Sequence, residues 1–237
     1  MTMSARLMER AMRIRILLLV ISLAIGNLFF TADVLAAKRG HTDNGIPPDV
    51  ATNNLKDAPQ APTLACSGPF AKDTTQAKLA AAFGAKNVAF KDVETPDKVL
   101  EKATVVFDAD PTKRMVFFWG DNKTRSKLTS ILIEAPATWI GPGGMRNGLP
   151  LKELEKLNGG AFSMVAFGGI GSGHVSGLKG AFAAIEGGCT LTAKFEPGIA
   201  NPLPPRYAPI TGSQTLVSTN SLLRRSRPQV TEWRVNY

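Results

Sequence analysis

Met115-Val-Phe-Phe-Trp-Gly120, Asp121-Asn-Lys123 and Lys127-Leu-Thr-Ser-Ile-Leu-Ile-Glu134 decide the fold. The first stretch is β-branched and aromatic, the second is turn chemistry, and the third returns as another β-rich run. Two such runs with a tight polar break predict a hairpin. Upstream, Asn87–Val93 and Ala103–Asp108 are strand-like, and Asp108-Ala-Asp-Pro-Thr-Lys113 is a second turn. Strands at roughly ten-residue spacing point to an antiparallel meander. A helix is predicted before it, over about 74–83, with Asp73 as cap, Gln76 three residues on, and Gly84 as the stop. The fold class is therefore α+β: an antiparallel sheet with short helices.

The pattern then restarts. Gly141-Pro-Gly-Gly144 opens a loop, and Pro150 stands where a first helical residue tolerates proline. Leu151, Leu154 and Leu157 share one helical face, and Asn158-Gly159 ends it. Strands are predicted at Ala161–Phe167 and Cys189–Glu196, with Leu178–Glu186 readable as helix or strand. Laying Thr75 on Pro150 places Leu79 on Leu154 and Gly84 on Gly159, a constant offset of 75. This reads as two degenerate α-β-β-β repeats, 68–134 and 141–196. Gln214–Thr219 and Val230–Tyr237 read as edge strands within a C-terminal part, 214–237. In the last, Trp233, Val235 and Tyr237 alternate with Glu232, Arg234 and Asn236, so the former face the packed side.

The N-terminus sets the compartment. Arg6, Arg10, Arg13 and Arg15 precede an apolar run, Ile16–Phe30, and Val34-Leu-Ala-Ala37 supplies small residues for a signal peptidase. The run is shorter than the roughly twenty residues of a spanning helix. Residues 1–36 are thus read as a cleaved secretory signal, with cleavage near Ala36 or Ala37, and the chain as periplasmic or secreted. The alternative is an uncleaved signal that anchors it in the inner membrane. Residues 37–63 read as a disordered tether, rich in Pro and Gly and poor in large apolar side chains. Residues 64–237 read as a single domain.

The chain of 237 residues carries a formal charge of +9. The leader holds four Arg against Glu9 and Asp33, so its removal leaves 201 residues at +7. A basic exported protein meets acidic phospholipid and cell-wall polymers. Arg224, Arg225 and Arg227, with Arg206 and Arg234, make the C-terminal part basic, and the first three are the candidate contact for an anionic surface. No basic run interleaved with aromatics marks a nucleic-acid module. The two cysteines, Cys66 and Cys189, are expected to form a disulfide in an oxidising compartment. With only His41 and His174 as further soft ligands, a four-ligand zinc site is not expected.

Gly144-Met-Arg-Asn-Gly-Leu-Pro-Leu-Lys-Glu-Leu-Glu-Lys-Leu-Asn-Gly159 resembles the capped helix of uncharacterised exported bacterial families. It is also similar to the repeat unit of β-lactamase inhibitory proteins and of outer-membrane-assembly lipoproteins of the SmpA/OmlA type. The ending Ser218–Tyr237 looks like the C-terminus of exported proteobacterial proteins. The resemblance implies a scaffold for binding rather than catalysis and transfers no functional residue. The anchoring cysteine of the lipoproteins has no counterpart directly after Phe30.

Chemistry-bearing motifs are few. Phe167-Gly-Gly-Ile-Gly-Ser-Gly-His174 contains G-x-G-x-G rather than the dinucleotide G-x-G-x-x-G, and no βαβ series surrounds it, so no cofactor is expected. Ser172 and His174 are a nucleophile and base by type, without the G-x-S-x-G elbow. Asp108, Asp110 and Asp121 sit at turns without the calcium-loop pattern. Met115–Trp119 and Trp139 are expected in the core. Two function classes follow: an exported, non-enzymatic binding protein for an envelope protein or an anionic envelope polymer, or a periplasmic hydrolase with an unrecognised site.

Overall fold

The structure is a computed structural model and describes residues 61–95 and 98–237. The signal, 1–36, and most of the tether, 37–60, lie outside the described residues. Pro62 and Leu64 already belong to the fold: the Ile140 N–H donates to the Pro62 carbonyl at 2.9 Å, and the Leu64 N–H to the Ile140 carbonyl at 2.8 Å.

Helix α1, Gln76–Phe83, is capped by Thr75, whose side-chain oxygen accepts the Lys78 N–H at 3.3 Å. The cap is thus two residues later than Asp73, whose carboxylate instead takes the Lys78 ammonium at 2.8 Å. A meander follows: β1 Val88–Glu94, β2 Leu100–Val106, β3 Met115–Asp121 and β4 Ser126–Glu134. Helix α2 covers Leu151–Leu157, with Pro150 as the cap residue rather than the first helical one. The predicted strand at 161–167 is split into β5 Ser163–Val165 and β6 Phe167–Gly168, and β7 is the short His174–Val175. Leu178–Glu186 is neither helix nor strand but holds one 3-10 turn, Gly180–Phe182. Then come β8 Thr190–Glu196, β9 Thr211–Gly212, β10 Thr215–Val217, α3 Ser221–Arg225 and β11 Gln229–Asn236.

Seven strands form the main sheet in the order β1-β2-β3-β4-β11-β8-β7. β11 is therefore central, not an edge strand, and pairs antiparallel with both β4 and β8. Its polar row, Glu232, Arg234 and Asn236, suits an edge by pattern but lies on a sheet face instead.

The sheet is a duplication in space. α2 begins 75 residues after α1, Leu151 against Gln76, and Leu79 and Leu154 are both fully buried. In the β3–β4 pair the register shifts so that Thr129 is the extra residue, between Leu128 opposite Trp119 and Ser130 opposite Phe118. In the β8–β11 pair it shifts so that Thr231 is extra, between Val230 opposite Phe195 and Glu232 opposite Lys194. The matched bulges align Phe118 with Lys194, Ser130 with Glu232 and Val116 with Thr192. The two halves join through β4 and β11, where Leu132 pairs Arg234, flanked by Ile131–Val235 and Ile133–Trp233. An approximate twofold axis thus passes near the Leu132–Arg234 pair. Bulges bend and twist the strand that carries them, so both halves bend at the same place.

One face of the sheet carries both helices and the main core. Phe117, Ile131, Phe195 and Trp233 are fully buried there with Leu79 and Leu154. Phe70 stacks on Phe117 with ring centroids 6.4 Å apart and meets Trp139 edge-on at 5.8 Å. The Trp119 indole N–H donates to Thr104 Oγ1 at 2.9 Å, and that hydroxyl donates to Gln76 Oε1 at 3.0 Å, which fixes α1 against β2 and β3. Aromatic burial of this kind dominates core energetics.

Cys66 and Cys189 form a disulfide, with Cα atoms 6.2 Å apart and 123 residues between them in sequence. It ties the segment before α1 to the start of β8, one half to the other. Loop-closure entropy gives it up to about 5 kcal/mol, and engineered bridges deliver less. Among the described residues no helix is long and apolar enough to cross a membrane.

Candidate functional site

The second face of the sheet carries neither helix, and it is divided. On the first half, Val93, Ala103, Val105, Val116, Phe118 and Leu132 form a separate small buried cluster. On the second half the same face presents His174 from β7, Lys194 from β8, and Glu232 and Arg234 from β11. Cross-strand register places Lys194 opposite Glu232 and His174 opposite Lys194. Arg234 stands at the border: its Nε donates to Glu232 Oε1 at 3.2 Å, and its guanidinium lies 5.5 Å from the Phe118 ring centroid.

A cavity of about 590 Å³ opens over this charged half. The tip of the β1–β2 hairpin supplies Thr95 and Glu101, and the loop after β6 supplies Gly169–Ser172. The sheet therefore curls enough for both ends to line one groove. Its volume lies within the range of small-ligand sites. One large apolar side chain of the lining, Ile170, is 92% exposed. Among the described residues, no ion pair involves Lys194 or Glu101.

The glycine loop serves this wall. A Cβ on Gly169 would lie 2.5 Å from the Gly212 carbonyl oxygen, and one on Gly173 2.0 Å from that of Phe195. The glycines let the loop press on β9 and β8. No helix follows them to complete a phosphate cradle. Ser172 Oγ accepts the Gly168 N–H at 2.9 Å and so closes the loop on itself. Among the described residues no hydrogen bond joins it to His174, although both line the groove.

The turn aspartates are engaged locally. Asp108 accepts Lys91 Nζ at 2.5 Å and lies 3.5 Å from Arg114 Nε; the Lys91 hydrogen bond holds its carboxyl below the usual range. Asp110 is bonded by Thr112 and Asp121 by the Thr124 N–H, and each is likewise held low. Among the described residues no group of three or more His, Cys, Asp or Glu side chains is placed to hold a metal ion.

Of the basic residues picked from sequence, Arg224 has an internal role. Its guanidinium donates to Glu155 Oε2 at 2.7 Å, while Ser218 donates to Glu155 Oε1 at 2.6 Å, and this joins α3 to α2. Arg225 and Arg227 are exposed. Sequence reasoning singled out Ser172, His174 and Arg234 but missed Glu101, Lys194 and Glu232. The signal for these was faint: single charges alternating with apolar residues on strands far apart in the chain.

The architecture defines an α+β protein with a seven-stranded antiparallel sheet of approximately twofold register. No family model, curated protein or solved structure matches the chain.

Proposed function

We propose that the chain is an exported, non-enzymatic binding protein, periplasmic or secreted after cleavage near Ala36 or Ala37, whose groove receives a segment of an envelope protein. The observation that carries this is the groove's make-up: Ile170 stands exposed in its wall, over a floor where Lys194 and Arg234 are balanced by Glu101 and Glu232. An exposed apolar side chain beside a charge-balanced floor suits a polypeptide. An anionic polymer needs a surplus of positive charge instead. The engagement of Arg224 by Glu155 further favours a protein over a polyanion. The disulfide supports an oxidising compartment. A duplicated helix-and-sheet unit is also in keeping with kinship to the repeat of β-lactamase inhibitory proteins.

Crosslinking in an envelope extract tests the reading. Wild-type protein should capture a protein partner, and the Ile170→Asp variant, folded by its melting curve, should not. Salt-sensitive attachment to acidic liposomes or cell-wall sacculi, lost in Arg225→Gln/Arg227→Gln and kept in the Ile170 variant, would overturn it in favour of the polyanion.

A further inference from the structure

The duplication provides an internal control for the groove. Matched strand positions carry Phe118, Ser130, Leu132 and Val116 in the first half, and Lys194, Glu232, Arg234 and Thr192 in the second. The first set shows that this backbone accepts apolar or small residues at these places. The fold therefore does not require charge there, and a half-buried charge costs stability unless it is paired. Glu232 and Arg234 pair with each other at 3.2 Å. Lys194 on β8 and Glu101 on β2 line the same groove, yet no ion pair involves either among the described residues. They sit four strands apart in the sheet order. Both line one cavity of about 590 Å³, so a single short segment reaches both.

We propose that the groove reads charge pattern: Lys194 receives an acidic side chain, and Glu101 a basic one, from opposite ends of a single short extended segment. The inference rests on the groove reading above and adds its specificity. Apolar contact at Ile170 holds the segment; the charges at Lys194 and Glu101 choose among segments and fix its direction. An ionised partner for each replaces solvent with a charge-assisted hydrogen bond. A segment with two charges of one sign meets a like charge at one of the two positions, which costs binding.

The probes are three pentapeptides with blocked termini: Glu-Val-Thr-Val-Lys, Lys-Val-Thr-Val-Glu, and the neutral Gln-Val-Thr-Val-Gln. Titration into the exported chain is followed by amide chemical shifts, which locate the site. One charged order should bind at least about tenfold more tightly than the neutral peptide. Lys194→Phe, which installs the residue type of the matched position, and Lys194→Gln should both reduce that preference below about threefold with little change in melting temperature. Equal binding of the three peptides, or an undiminished preference in both Lys194 variants, would overturn the proposal. If the three bind equally but Ile170→Asp abolishes binding, the groove reading stands and only the charge code fails. If no peptide shifts the groove residues, both fail.

Discussion

The two halves of the sheet share a frame and differ in what they expose. Each has a helix anchored by one fully buried leucine, Leu79 or Leu154, and a last strand with a bulge at a threonine, Thr129 or Thr231. On the helix-bearing face the halves are chemically alike, because one core must be filled from both sides. On the opposite face the first half is a patch of Val, Ala, Phe and Leu, while the second carries the charged floor of the groove, to which β2 adds Glu101. Where packing sets the requirement, the duplicated positions agree. Where it does not, they diverge, and the divergence marks the surface available for recognition.

The strongest way to break the comparison is at the anchors. Leu79→Ala and Leu154→Ala should each cost about 3–5 kcal/mol in urea unfolding, since both side chains are fully buried. Equivalence predicts similar losses. A loss below about 1 kcal/mol at one site would show that the halves are not matched.

A smaller effect separates structural from surface arginines. Glu155 has a side chain only 13% exposed and takes both the Arg224 guanidinium and the Ser218 hydroxyl. Glu155→Gln should cost about 1–2 kcal/mol. Arg227→Gln, at an exposed position, should stay within about 0.5 kcal/mol. Equal effects would remove the distinction drawn between Arg224 and its neighbours.

The smallest expected effect is a pH dependence at the C-terminus. Burial pushes the Tyr237 phenol up to about 12. Its hydroxyl donates to the Phe70 carbonyl, linking the last residue to the segment before α1. The unfolded phenol ionises near 10, so its contribution is complete below pH 10 and is lost as pH rises through 12. Ultraviolet titration should show one of the two tyrosines ionising late, and Tyr237→Phe should flatten the stability loss between pH 10 and 12.

Much of this frame was legible in the sequence. The hairpin at 115–134 was set by its β-rich runs, and the offset of 75 was visible in the helices, where cap, leucine and glycine recur. The later strands hid it. Residues 197–228 intervene before β11, holding β9, β10 and α3, so β11 no longer falls at the expected spacing. The polar row of β11 mimicked an edge strand because the chain does not record that its second face borders a groove. The disulfide followed from compartment and count. The groove did not follow, because Glu101, Lys194 and Glu232 come from three strands and meet only through pairing. The glycine loop was conspicuous in sequence for a different reason: backbone contact with Gly212 and Phe195 demands those glycines.

The central claim is that the charges on the second half serve recognition and not folding. Urea unfolding of two variants tests it most directly. Arg234→Leu alone leaves the largely buried Glu232 carboxylate without its partner and should cost about 1–3 kcal/mol. Glu232→Ser/Arg234→Leu, which copies Ser130 and Leu132 from the first half, should return stability to within about 0.5 kcal/mol of wild type or above it. A double variant as unstable as the single one, or more so, would contradict the account, because the charged pair would then be part of what holds the sheet together.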